Sequence, residues 1–338
     1  MNLKHSMARP AARLAAVAVA VLVTSLAAHP VVHAHEFSAA LKAKKYAEVE
    51  QAATAKLAAD PQHADALIAR VELIVTQGQE ARLDEAVKLA EQCIAAHPQK
   101  SECHEALGNA LGTKAMLGGI MSAIGYATNI RDAFKKAVDL DAKNLDARFS
   151  LLTYYQQAPA IVGGGSGKAR DLAADTSKIN PEAGKLMQAA IALADEDFAK
   201  AEALALSANP RGADVMLDTQ RSTLVAVGSH YVRAKQFTES QRVFTDIEKR
   251  YPDSNWGAYG LARVLQEQGK HQEALPLFER ALSVEAAAHV HYRLGQSLQA
   301  VSDKGRAIAA YEKALGFKPA LSKKQRGDAQ DQLKTLKG

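Results

Sequence analysis

The sequence predicts an all-α protein whose helical hairpins stack side by side along one axis. Three observations predict it. No strand-length alternation of apolar and polar residues occurs in the 338-residue chain. Aromatic residues make up only 5% of it while alanine is abundant, a composition suited to closely packed helices. Most telling is a set of slots that recurs in the last third. Val227, Gly228, Ser240, Phe244, Ile247 and Pro252 fill one window. Leu261, Ala262, Ala274, Phe278, Ala281 and Ala286 fill the next, then Leu294, Gly295, Ala307, Tyr311, Ala314 and Pro319. The windows begin near residues 221, 255 and 288, a period of 34 and then 33. A fixed period of this length is the signature of a helix-turn-helix solenoid. A chain of this length ordinarily suggests two domains, but a stack grows its core in one dimension.

Each window reads as two antiparallel helices. Small residues on the first (Gly228, Ala262, Gly295) face small residues on the second (Ser240, Ala274, Ala307). A bulky side chain there would push the backbones apart. Phe244, Phe278 and Tyr311 fill the space beside that contact and reach the following repeat. Pro252 and Pro319 follow the second helix, where no amide donor is needed.

Residues 1–34 are a separate object. Lys4, Arg9 and Arg13 precede the apolar run Leu14 to Ala28, and Val32-His33-Ala34 ends in small residues at the positions a signal peptidase reads. A run of fifteen residues falls short of the ~20 needed to cross a bilayer, so cleavage after Ala34 is expected over a retained anchor. Removing three basic and no acidic residues leaves 39 basic against 37 acidic, a formal charge of +2. No basic stripe with interleaved aromatics marks a nucleic-acid surface. The expected location is the periplasm, with no stable membrane span after cleavage.

Residues 35–63 form a partial repeat through Tyr46, Val49, Ala53 and Pro61. Residues 64–220 hold divergent repeats with insertions. Val71, Ala86, Ala90, Cys93 and Pro98 mark 64–100; Leu107, Gly108, Leu111, Phe134 and Ala137 mark 101–144; Leu151, Leu152, Tyr155, Ala169 and Pro181 mark 145–183. Residues 184–220 are degenerate, recognisable by Ala201. Residues 221–321 hold the regular repeats, and 322–338, with Leu333 and Leu336 in phase, read as the polar capping helix that a stack requires.

The pattern resembles the tetratricopeptide repeat (TPR) family, over about residues 36–321. The resemblance implies a right-handed α-solenoid of about eight TPR-like repeats and a non-catalytic role. It also implies a concave groove lined by first-helix positions. Carried onto the clear repeats, these are Ser222, Val225, Ser229 and Arg233, then Trp256, Tyr259, Arg263 and Gln266, then His289, Tyr292, Gln296 and Gln299. Arg233, Trp256, Tyr259, Arg263, His289, Tyr292 and Gln296 are the candidate contacts for a protein or extended peptide, since Tyr, Trp and Arg dominate binding energy at interfaces. Trp256 could instead pack a helix end. The Lys and Asn of the family's carboxylate-clamp members are absent: Val225, Tyr259 and Tyr292 stand there with Ser229, Arg263 and Gln296.

Other features carry chemistry less clearly. Cys93 and Cys103, the only cysteines, flank the turn His97-Pro98-Gln99-Lys100. They form a disulfide in an oxidising compartment or serve as small buried apolar groups. Adding His97 and His104 gives a zinc-like set, but no common finger has this spacing, and no metal or cofactor is expected. Gly163-Gly164-Gly165-Ser166-Gly167-Lys168 lacks the first glycine and the hydroxyl residue of a phosphate loop and follows a helix, so it reads as a lengthened turn. Residues 112–129 carry Met116, Leu117, Ile120, Met121 and Ile124 at helical spacing, with a bend expected at Gly118-Gly119. This stripe packs on the next repeat, or it closes with residues 159–167 over a pocket for a small molecule or lipid, lined by Met116, Ile120, Met121 and Ile124.

Overall fold

The computed structural model describes residues 35–210, 213–318 and 320–338. The leader, the Ala34 boundary and Pro319 lie outside the described residues. Seventeen α-helices and no strand occur among those described. They pair as eight hairpins: α1 Ser38–Lys42 with α2 Tyr46–Ala59, α3 Ala64–Thr76 with α4 Leu83–Ala96, α5 Ser101–Leu117 with α6 Gly119–Leu140, α7 Leu145–Gln157 with α8 Ser166–Ile179. Then come α9 Pro181–Ala194 with α10 Phe198–Ser207, α11 Asp214–Arg233 with α12 Phe237–Arg250, α13 Trp256–Glu267 with α14 His271–Val284, and α15 Ala288–Ala300 with α16 Lys304–Gly316. A last helix, α17 Lys323–Lys337, packs on α16 and closes the stack.

The slots do what their sizes require. Ser240 donates its hydroxyl to the Gly228 carbonyl across the α11–α12 contact, at 2.9 Å. Phe244 is 1% exposed and lies between two glycines, one from each repeat it touches. A Cβ on Gly228 would stand 2.9 Å from its ring, and one on Gly260 of the next hairpin 2.0 Å. Gly108 under Phe134 and Gly295 under Tyr311 repeat the arrangement, with a Cβ 2.5 and 3.0 Å from the ring. The first helix of six hairpins ends alike: a residue at positive φ (Lys44, Gly78, Glu196, Lys235, Gly269, Ser302), followed by an amide that reaches back to the last turn. Polar side chains start many helices; Asn144, Asn180, Asp197, Asp303 and Ser322 each accept an amide two or three residues into the helix that follows.

Successive first helices touch one another directly from α3 to α15, while the second helices lie farther from their counterparts. The shorter arc therefore belongs to the first helices, which line the inner curve.

Three regions depart from expectation. Helix α11 begins at Asp214, seven residues ahead of the expected 221, because Val215 and Met216 find buried places against the preceding hairpins. The ten extra residues of the third repeat make no third helix. They lengthen both arms of the α5–α6 hairpin, which turns at Gly118-Gly119 with Gly119 at φ +76°. Met116, Leu117, Met121 and Ile124 are 57, 43, 78 and 61% exposed, so they are neither core nor the wall of a closed pocket. The side chain of Ile120 lies outside the described residues. The 159–167 segment meets the α5–α6 hairpin lower down, where Arg131 donates to the Val162 carbonyl at 3.2 Å. That segment is a lengthened turn: a 3₁₀ turn over Ala160–Val162, then Gly163 at φ +91° and Gly165 at +124°. A Cβ on Gly164 would sit 1.8 Å from the Ala158 carbonyl oxygen.

Candidate partner-binding face

Cys93 and Cys103 are joined by a disulfide across the turn between α4 and α5, with Cα atoms 5.4 Å apart. His97 Nε2 lies 2.6 Å from the Gln62 carbonyl and His104 Nε2 3.0 Å from that of Pro98, so the imidazoles do not converge on the sulfurs.

The inner face of α11, α13 and α15 carries the expected aromatic and arginine residues, but it uses them unequally. Trp256 opens α13 and stacks on the His289 ring of α15, centroids 5.0 Å apart and planes 16° from parallel. Tyr259, one turn on, meets Trp256 edge-on at 5.6 Å and His289 at 4.7 Å. Arg263 lies one turn further, its guanidinium 5.7 Å from the Tyr259 ring centroid. Three aromatic groups and one cation thus share a continuous patch across two repeats. They meet because the first helices touch on the inner arc and because 256, 259 and 263 fall on one face of a helix.

The polar accounting of this patch is incomplete. Arg263 donates to the Ser229 hydroxyl at 3.3 Å, but its Nε is buried without an acceptor. No carboxylate pairs with Arg263 or with the exposed Arg233 among the described residues. The nearby Arg293 takes Glu267, at 3.1 Å. Burial, together with the neighbouring guanidiniums of Arg293 and Arg233, holds Arg263 below the ordinary arginine range. Burial, and then Arg263 itself, pushes His289 down to about 4, so the ring is neutral at pH 7, and its buried Nε2 has no hydrogen-bond partner. Arg233, Arg263 and Arg293 outnumber Glu267 and Glu285, so this stretch is net positive.

Tyr292 and Gln296 turn toward the capping helix. Tyr292 is 7% exposed, and its hydroxyl donates to Asp328 of α17 at 2.6 Å, while Gln296 donates to the same hydroxyl at 2.9 Å. Gln299 bonds Gln332 of α17 and accepts from Tyr311. The capping helix takes the place of a next repeat and consumes the inner face of α15. Tyr259 is also buried, at 6% exposed, and acts as the floor of the patch. Gln266 is turned into the stack, donating to Ser297 and the Arg293 carbonyl. What remains reachable is Arg233, part of Trp256, part of Arg263 and the rim of His289. Sequence spacing placed these residues on one face but could not reveal that α17 would occupy Tyr292; Asp328 carried no signal.

The sequence profile of the tetratricopeptide repeat matches residues 226–291 and 259–322. Residues 226–322 carry tetratricopeptide repeats. No curated protein sequence matches it. Among solved structures, yeast Tom70 is similar over 82% of this chain and 58% of its own, with 12% identity and a TM-score of 0.58. A tetratricopeptide repeat protein from Parabacteroides merdae is similar over 81% of this chain and 99% of its own, at 16% identity and a TM-score of 0.46. Human IFIT1, solved as a dimer with m7Gppp-AAAA, is similar over 87% of this chain and 59% of its own, at 16% identity and a TM-score of 0.49. This chain spans just over half the length of Tom70, and the likeness is one of fold.

Proposed function

We propose that this tetratricopeptide-repeat protein is a non-catalytic periplasmic scaffold that holds a protein partner, as an extended segment, along the inner face of α11 and α13. One observation carries the reading. Arg263 is largely buried beside Trp256, Tyr259 and His289 with no ion pair to a carboxylate among the described residues, and Arg233 stands exposed beside it. A buried cation without a counter-charge is costly, and an anionic group from a partner removes that cost. Tyr259 and His289 form a rigid floor and Trp256 a partly exposed wall, so an apolar side chain next to the anionic one would find cover. The partner class is therefore an extended segment with an acidic residue flanked by an apolar one. The leader-like residues 1–34 support export.

The alternative, a carrier of apolar small molecules around residues 112–129 and 159–167, loses its main support because its expected wall residues are exposed. The test is photo-crosslinking in periplasm with a benzophenone amino acid at Arg233, and at Thr245 of α12 as an outer-face control. The Arg233 probe should give a discrete protein adduct that the Thr245 probe does not, and Arg263→Gln should remove it. Adducts of equal yield at both positions, or one unaffected by Arg263→Gln, would overturn the reading.

A further inference from the structure

The first hairpin touches distant parts of the stack. Lys42 Nζ lies 2.7 Å from Asp214 Oδ1, and Lys44 Nζ lies 3.3 Å from Glu285 Oε1. Sequence separations of 172 and 241 residues make these the longest-range ion pairs among the described residues. Lys42 ends α1, and Lys44 sits in the turn before α2. Asp214 opens α11, and Glu285 follows the end of α14. These are opposite rims of the solenoid: one where first helices end, one where first helices begin and second helices end. A turn on one rim of the first hairpin can meet the other rim of the sixth and seventh only if the stack has wound once round and risen. One edge of the superhelix then meets its own next turn at these two ion pairs.

We propose that Lys42 and Lys44 form an ionic latch that closes the superhelix on itself and gates entry to the inner face. Both lysines are 67% exposed, and their partners are 35 and 48% exposed. Exposed pairs of this kind contribute little individually, so the latch is weak, reversible and sensitive to salt. Lys44 is at φ +57° in the left-handed turn that ends α1, so its direction is set by the fold of the hairpin. A solenoid is the architecture in which such a weak contact matters. Apart from these ion pairs each repeat packs mainly on its neighbours, so small changes in each interface add up to a large movement between distant ends. The latch does not depend on what the inner face binds.

The experiment places nitroxide labels at Ala43→Cys and Ala286→Cys, both exposed and one residue from the latch, in the otherwise intact chain with Cys93–Cys103 oxidised. Electron–electron distance measurements give the populations of closed and open forms. At low salt one short distance should dominate. At 1 M salt, where the screening length falls to ~3 Å, a longer and broader distribution should grow. Lys42→Glu with Lys44→Glu should raise the open-to-closed ratio about tenfold. Adding Asp214→Lys and Glu285→Lys to that variant should restore the short distance, a reversal that a mere folding defect would not give. A short distance unchanged by salt and by charge reversal, or a long distance in the wild type at low salt, would overturn the latch.

Discussion

Gly260→Ala tests the close approach that lets these hairpins stack. A Cβ at Gly260 falls 2.0, 2.2 and 2.3 Å from three atoms of the Phe244 ring, where ordinary carbon contacts are ~3.5–4.0 Å. The ring must retreat by roughly 1.5 Å to restore such contacts. It cannot retreat freely, because a ring 1% exposed also faces Gly228 and its surroundings. Overpacking of this kind costs ~1–3 kcal/mol, and the steep clash argues for the upper end. Alanine returns up to ~1 kcal/mol of helix propensity. The net expectation is a loss of about 1–2 kcal/mol. Gly112→Ala in α5 is the matched control: nothing lies within 4 Å of its Cβ position, so only the propensity gain of ~0.5–1 kcal/mol remains. Urea unfolding followed by the single tryptophan, Trp256, on the same helix as Gly260, reads the local hairpin; circular dichroism reads the whole array. The urea midpoint should fall for Gly260→Ala and rise for Gly112→Ala. Phe244→Leu should cost less in the Gly260→Ala background than alone, because the two residues couple. A Gly260→Ala midpoint at or above wild type would refute the interlocking of Phe244 between repeats.

Three further outcomes follow from the same structure. Reducing the Cys93–Cys103 disulfide, or replacing it by two alanines, should lower stability by ~2–3 kcal/mol for so short a loop, read as a drop in urea midpoint. Glu105 is 4% exposed, accepts from Asn144 at 2.9 Å and is held well above the usual carboxylate range by burial and by Asp146. A raised folded value favours the protonated form, so its stability is complete below the unfolded value near ~4.3 and is lost as pH rises through the folded one. Thermal midpoints between pH 4.5 and 8 should therefore fall for wild type relative to Glu105→Gln; parallel profiles would count against the raised value. Lys235→Gly replaces a side chain at φ +58° in a first-helix turn, where left-handed geometry costs ~1–2 kcal/mol and glycine entropy ~0.5–1, so the midpoint should rise by a net few tenths to 1 kcal/mol.

The sequence made the stack legible because its determinants are local and periodic. Gly228, Ser240 and Phe244 recur as a size pattern, and size at close contacts is visible in residue type. The left-handed turns were half legible: Gly78 and Gly269 announce themselves, while Lys44, Glu196, Lys235 and Ser302 hold the same conformation without a sequence mark. The α5–α6 hairpin was misjudged because apolar residues at helical spacing describe a helix, not what covers it. Met121 has the periodicity of a core residue and the exposure of a surface one. The partner-binding face was legible as a set of positions but not as a set of free residues. Whether Tyr292 is open or taken depends on where α17 lands, a long-range fact that Asp328 settles and no spacing encodes. The bridges from Lys42 and Lys44 depend on the accumulated twist of several repeats and lay equally beyond a reading of residues in order.

The central functional claim is that Arg263 is kept as an uncompensated cation for a partner's anionic group, and Arg263→Met tests it most directly in a paired measurement. Methionine keeps much of the apolar stem over Tyr259 and removes the buried charge. The isolated variant should melt at or above the wild-type temperature while the crosslink from position 233 is lost. A variant that melts well below wild type yet still gives the crosslink would contradict it, because Arg263 would then serve the fold and not the partner.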